Sequence, residues 1–281
     1  MTAHPYDGSR AALATKHGKL ALIGPVMFRR LGLVLETAEV DTDALGTFSG
    51  EVPRRGSQLE VAEAKARLGT RATGLDIGFA SEGTFGPYWG VPFLTADIEV
   101  VTMVDDSLGI VVSETEVDFD VVSFGADMDA PDIDTLGLER AGFPEHGLIV
   151  RSQSGSGPIV KGIHDPEDLA RAVQDCHSWD PSAGVRVESD FRAHHHPSRR
   201  RVIARAAERL ANRLAQLCPA CAAPGWGIGR HEGGAPCRDC GNPTRMIRRE
   251  FLICARCDVE MARLAAGSSG VDPQYCPRCN P

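Results

Sequence analysis

The chain has no apolar run approaching the roughly 20 residues of a membrane-spanning helix, and it has no low-complexity tract. Its opening, Met1 to Arg10, is polar and contains Pro5 and Gly8, so it reads as a loose tail without a targeting pattern. No internal repeat is visible apart from one cysteine motif. These absences argue against a membrane protein and a repeat array, and they place the chain in the cytoplasm with no membrane partner. What remains is ordinary: 281 residues, 42% hydrophobic and 24% charged. That suits a globular protein with room for about two domains.

Cysteine is nearly absent too until position 218, the one earlier residue being Cys176. The other eight form four Cys-x-x-Cys knuckles: Cys218/Cys221, Cys237/Cys240, Cys254/Cys257 and Cys276/Cys279. Two residues between thiols let both sulfurs of a tight turn face one metal ion, and two knuckles complete a tetrahedral thiolate site. Four knuckles therefore predict two structural zinc ions. A disulfide framework does not suit a reducing compartment. Loops of 15, 13 and 18 residues separate the knuckles. Closure entropy grows with loop length, so sequential pairing is expected, the first knuckle with the second and the third with the fourth. Interleaved pairing is the alternative.

The net charge of −8 divides unevenly. Met1 to Pro197 carries a formal −15 and the remainder a formal +7. Eight thiolates and two zinc ions would bring that remainder to about +3. An acidic body suits metal binding or solubility better than nucleic-acid binding.

Along the chain, Lys19 to Ile23 reads as a short strand, with a helical stretch from Pro25 and a second strand over Val34 to Val40. Asp41 to Gly56 reads as a loop. Ser57 to Leu68 is an amphipathic helix. Leu75 to Ala80 is a buried strand entering a Gly-rich loop, Ser81 to Gly90. Ile98–Val104 with Gly109–Val117, and Leu148–Arg151 with Pro158–Ile163, read as hairpins. Asp165 caps a helix with Pro166 at its first position. Pro197 opens a long helix to about Leu217, with Val202, Ile203, Ala206, Leu210 and Leu214 as its apolar stripe. The fold class is α/β, with a mixed central sheet over residues 1–196, a connecting helix over 197–217 and a zinc-ribbon-like domain over 218–281.

Three polar segments lie beside the predicted strand ends: Thr15 to Lys19, Asp41 to Glu51, and Ala80 to Pro87. Gly, Ser and Thr at the carboxyl end of a strand expose N–H and hydroxyl groups that suit phosphate oxygens. Lys16 or Lys19 would neutralise the phosphate. Asp41, Asp43, Glu51 and Glu82 would hold a hard cation such as magnesium. A fourth segment, Asp190 to Arg199, precedes the long helix. Its Arg192 and Arg199 suit an anion, and capping and anion contact outrank metal binding for His194, His195 and His196. Cys176 reads as a buried structural cysteine.

Almost end to end, the chain resembles a bacterial and archaeal family catalogued only as a domain of unknown function. The resemblance rests on His17 to Lys19, Asp41 to Glu51, Ala80 to Pro87, Phe143 to Gly147, Asp190 to Arg200 and Tyr275 to Pro281. Ala14 to about Gly86 resembles the inosine-triphosphate pyrophosphatase superfamily of nucleotide hydrolases. That likeness lies in Ala14-Thr15-Lys16-His17-Gly18-Lys19-Leu20, in Gly46-Thr47-Phe48, in Val61 to Ala66 and in Ala80-Ser81-Glu82-Gly83.

Together these readings predict a magnesium-dependent hydrolase of a nucleotide or related phosphate compound. Its catalytic residues would be Glu82, Glu51 and Lys19. Thr15, His17, Ser49, Ser81, Arg192 and His194 would hold substrate. The runner-up is a non-enzymatic adaptor whose zinc tail and Arg-rich helix bind RNA or a protein.

Overall fold

The computed structural model describes residues 3–16, 18–46, 52–128, 133 and 137–281. Strand β1 (Arg10–Ala14) organises the body. Its apolar side chains go to both faces. Ala11 and Leu13 enter the main core. Ala12 and Ala14 lie against Gly69, where a Cβ would stand 3.4 and 3.5 Å from theirs. Strand β2 (Val34–Ala38) and β3 (Ile77–Tyr88) flank β1 in parallel. Strands β4 (Val91–Asp105) and β5 (Ile110–Asp118) complete the sheet in antiparallel fashion, in the order β2-β1-β3-β4-β5.

Helix α1 (Leu20–Leu31) carries the chain from β1 to β2, and α2 (Gln58–Thr73) carries it back past β1 to β3. Right-handed crossovers in opposite directions put the two helices on opposite faces. Accordingly, Ile23, Met27 and Leu31 of α1 pack with Phe79, Val101 and Met103 on one face. Ala66 of α2 packs with Ala80 and Val104 on the other. The reversal of direction makes β1/β3 a topological switch point, where open α/β sheets leave a crevice at the strands' carboxyl ends.

A second sheet follows, with strands β6 (Gly125–Met128), β7 (Leu148–Ser152), β8 (Ile159–Ile163) and β9 (Val185–Ser189). Its order is β6-β9-β7-β8, antiparallel throughout. Helix α3 (Pro166–Trp179) packs on it through Leu169, Val173 and Cys176. Asp165 caps α3, its carboxylate accepting from Glu167 N at 2.8 Å and Asp168 N at 3.2 Å. The sequence announced the β7–β8 hairpin and α3 but not that they build a sheet of their own.

Helix α4 (Pro197–Leu214) links the body to the tail, and it is also a core element. Ile203, Ala206, Leu210 and Leu214 lie in the same cluster as Ile23 and Met27 of α1. Each buried Ile or Leu side chain among them contributes about 1.5–3 kcal/mol. The tail is a three-stranded antiparallel sheet of β10 (Gly227–Gly233), β11 (Ile247–Ile253) and β12 (Glu260–Leu264).

Three local expectations change. Lys19 to Ile23 opens a helix, not a strand, because its apolar residues continue at helical spacing as Ile23, Val26, Met27 and Leu31. The first strand instead is the Ala-rich Arg10–Ala14, whose composition gives little strand signal. Ser81 to Tyr88 is not a loop. It extends β3 in unbroken register with β4 as far as Pro87. Gly83 is required there, since a Cβ would collide with Arg199 and Glu99.

Candidate functional sites

The cysteines converge in two groups, Cys218, Cys221, Cys254 and Cys257, and Cys237, Cys240, Cys276 and Cys279. Each group can hold one metal ion. The sulfur contacts are 3.8 Å for Cys218–Cys257, 3.6 Å for Cys221–Cys254, 3.9 Å for Cys237–Cys279 and 3.6 Å for Cys240–Cys276. A tetrahedron with metal–sulfur bonds of about 2.3 Å has an edge of about 3.8 Å, so the donor set fits a closed thiolate site. The thiols are set up unevenly. Burial opposes ionisation of Cys218, yet the Cys221 and Ala220 N–H groups bring it below the ordinary thiol value. At Cys279 the Cys240 thiol pushes the other way.

The pairing is interleaved, which corrects the sequential expectation. An antiparallel meander explains it. The first knuckle precedes β10 and the third follows β11, so both stand at one end of the sheet. The second follows β10 and the fourth follows β12, so both stand at the other end. Each doubling of a closed loop costs only about 0.6 kcal/mol. Sequential pairing would pull the two ends of β10 together and forfeit its ladder with β11.

The second site lies at the switch point. Beyond Ala14, β1 ends while β3 runs on, and Thr15, Lys16, Lys19, Thr42, Asp43, Lys65, Ser81, Glu82 and Arg199 surround a cavity of about 40 Å³. That is the room of roughly three waters. Thr15, Lys19, Ser81 and Glu82 were expected to act together, and the fold brings them to this cavity. His17, Ser49 and Glu51 lie outside the described residues. A shallower depression of about 370 Å³ adjoins it, sharing Thr15 and Lys16 and including Leu20, Thr37 and Glu39.

Cations dominate the cavity's buried walls. Lys19 is buried, and among the described residues its one hydrogen bond goes to the Ser81 carbonyl at 3.4 Å. Burial, with Arg199 nearby, lowers its pKa to about 8. The Ser81 hydroxyl is buried without a partner among the described residues. Lys65 Nζ and Arg54 Nη2 each stand 2.7 Å from one oxygen of Glu82. Glu82 is thus placed as their counter-ion. Each oxygen thus spends one lone pair on a cation of the protein.

On the opposite face of β3, Arg199 Nε pairs with Glu99. That side-chain pair is 2% and 0% exposed. Asp97, next on the same face of β4, is pushed up to about 8 by burial and by Glu99. Among the described residues, with Asp97 held toward its neutral form, the buried charges here are Lys19, Lys65 and Arg199 against Glu82 and Glu99, one cation in excess, with half-buried Arg54 adding another.

Sequence reasoning passed over Lys65, Glu99, Asp97 and Arg54, and it grouped Arg199 with Arg192. Signals existed. Lys65 sits on the buried stripe Val61, Ala62, Ala66 and Gly69 of α2, and Arg199 on the stripe Val202, Ile203 and Ala206 of α4. A lone cation at an apolar stripe position has to find a counter-charge inside.

Arg192 and His194 are not at this cavity. Arg192 is held by Asp190 beside the second sheet, and His194 is exposed in the turn before α4. His196 caps α4, its Nδ1 accepting from Arg199 N at 3.3 Å. Three arginines of α4 are drawn to β5. Arg205 pairs with Glu116 and Asp118, Arg209 with Glu114, and Arg213 with Glu114. Cys176 is buried and free, as expected.

Among known sequences, one family pattern matches residues 65–281, that of a domain of unknown function (DUF6671). The chain belongs to that family. No curated protein and no solved structure matches it. The resemblance of Ala14 to about Gly86 to the nucleotide pyrophosphatases therefore has no support from these comparisons. Among the described residues, no helix is long and apolar enough to cross a membrane.

Proposed function

We propose that this member of a family of unknown function hydrolyses a small phosphate compound, gripping its phosphate in the cavity at the ends of β1 and β3. One observation carries the reading: among the described residues, Lys19, Lys65 and Arg199 leave the buried charge one cation in excess, beside a Ser81 hydroxyl that has no partner. An anion with acceptor oxygens would satisfy both. The cavity admits the phosphate alone, so the rest of the ligand lies in the adjoining depression, where Glu39 can accept from its hydroxyls. Lys19 and Arg199 would stabilise charge developing on the phosphate oxygens. Each cysteine group holds a zinc ion with a structural role, because four thiolates leave no open coordination position.

A panel of nucleotides, sugar phosphates and pyrophosphate, assayed with and without divalent cations, tests the reading. Lys19→Met should cut phosphate affinity and turnover by more than tenfold while leaving the zinc content at two per chain. A wild type that binds none of the panel refutes the phosphate site. Binding without turnover removes the hydrolase and leaves a phosphate-binding module. The adaptor reading is weaker, since α4 directs four of its six arginines to β5 and to Glu99.

A further inference from the structure

Beside the second sheet, two histidines form a relay that leaves one imidazole nitrogen open. His164 Nδ1 lies 2.7 Å from the Pro144 carbonyl oxygen, which can only accept, so this nitrogen carries the proton. In neutral His164 the other nitrogen, Nε2, is then an acceptor. It lies 2.8 Å from His195 Nδ1, which must donate to it. His195 Nε2 is left unprotonated, and it has no partner among the described residues.

The position of this ring is enforced. A Cβ on Gly147 would stand 2.9 Å from His164 Nε2 and 3.0 Å from His195 Cβ, and one on Gly162 would stand 2.7 Å from His195 Nε2. Two glycines therefore make the slot in which the relay sits. Gly147 N also donates to His195 O at 2.8 Å, which ties the turn before α4 to the start of β7. Burial lowers the His195 pKa to about 4, so the ring is neutral at neutral pH.

A fixed cation stands beside it. Asp190, fully buried, accepts from Arg192 Nε at 2.9 Å and from Gly162 N at 3.0 Å, and also takes one Nη2 proton of Arg192. A guanidinium has five N–H groups, so three have no partner among the described residues and can serve a ligand. The site thus offers donors from Arg192 and one obligate acceptor at His195 Nε2. An oxyanion with only acceptor oxygens would meet the His195 lone pair with its own. An oxyanion that keeps one O–H satisfies both groups. We infer that His195 and Arg192 form a second ligand site, separate from the Lys19 cavity, for a small oxyanion carrying one O–H, of the hydrogenphosphate or phosphomonoester-monoanion class. The O–H donates to His195 Nε2 and the charged oxygens accept from Arg192. The ligand proton is shared, not transferred. The Lys19 cavity, built from lysines, arginine and a hydroxyl, makes no such demand.

Imidazole ¹⁵N spectra of the full-length, zinc-loaded protein test the relay directly. Both His164 and His195 should show the Nδ1–H tautomer at pH 7.5. Titration at pH 7.5 with inorganic phosphate, which keeps an O–H, should shift the His195 ring signals, and sulfate should bind about tenfold or more weakly, the worth of one hydrogen bond to a charged group. The preference should survive in Lys19→Met, which removes a cation of the other cavity. Gly162→Ala should abolish it by placing a methyl against Nε2; if that variant fails to fold, Arg192→Lys should weaken phosphate binding at the His195 signals. An Nε2–H tautomer at His195, or equal binding of sulfate and phosphate there, overturns the inference.

Discussion

The tail and the body keep polar groups inside the fold by opposite means. In the tail, β12 is exposed along its whole length and few apolar residues are buried. Order there comes from eight sulfurs drawn into two groups. In the body, a sheet covered on both faces buries a large apolar cluster, and the buried pairs Lys65–Glu82 and Arg199–Glu99 sit beside it, with Lys19 the one buried cation there that has no carboxylate partner among the described residues. One region is built so that a few strong bonds to an ion in each sulfur group can hold it. The other is held by many weak contacts, with charge balance setting which polar groups can stay inside.

The contrast is sharpest when the ion is removed. Metal binding in such thiolate sites carries about 10–16 kcal/mol of apparent folding free energy. A strong chelator, or Cys254→Ser, should therefore unfold the tail as a whole. The body should persist, because its main cluster comes from residues up to Leu214 and the tail adds only Ala255 to its rim. Amide exchange after chelation should show β10, β11 and β12 exchanging freely while β1, β3 and β4 stay protected. Loss of protection across β1 and β3 together with the tail would show the two regions to be a single cooperative unit.

The body has a corresponding weak point. Arg199→Met leaves Glu99 buried without its cation, and breaking a buried pair in this way costs about 3–5 kcal/mol. Urea denaturation should show that loss. Arg199→Met combined with Glu99→Gln should recover a good part of it, since no uncompensated charge remains. If the double variant is no more stable than the single one, the arginine's packing and its bond to the Phe191 carbonyl, not charge balance, hold this region.

These differences also decide what could be read in advance. The knuckles announce themselves because both thiols of each pair lie within one turn of chain. The order in which knuckles share ions does not, because it depends on which ends of β10, β11 and β12 coincide. At the cavity, Thr15, Lys19, Ser81 and Glu82 are legible as polar residues flanking apolar runs. Lys65 and Arg199 come from buried stripes of α2 and α4, and they meet β3 only through its pairing and crossovers. The helical start at Leu20 was hidden for a related reason. Five residues are too few to separate periods of 2 and 3.6, and only Val26, Met27 and Leu31 reveal which applies.

The cavity's charge balance predicts a pH dependence. Lys19 titrates near 8 in the free protein, below its ordinary 10.5, because burial penalises its charge. Phosphate binding favours the charged form. Affinity should hold steady below about pH 8 and then fall by up to tenfold per pH unit, about 1.4 kcal/mol each, until the bound-state pKa is passed. The same depressed pKa predicts that the free protein's stability rises between about pH 8 and 10.5, where the unfolded chain binds the proton and the folded one does not. Calorimetric titration with phosphate from pH 6.5 to 9.5, repeated on Lys19→Met, would check this. A slope that survives the substitution assigns the effect to another group.

The smallest effect is expected on the outer face of the body, where charges are plentiful but wet. Arg205 pairs with Glu116 and Asp118 along β5, and its side chain is 45% exposed. Exposed pairs contribute about 0.2–1 kcal/mol and weaken with salt. Arg205→Ala should therefore lower stability by less than about 1 kcal/mol, and most of that should vanish in 1 M salt. The Arg199 variant should keep its deficit in the same salt, because its pair lies where counter-ions do not reach. A salt-insensitive loss of several kcal/mol from Arg205→Ala would mean that the α4–β5 arginines hold the body together as the buried pair does.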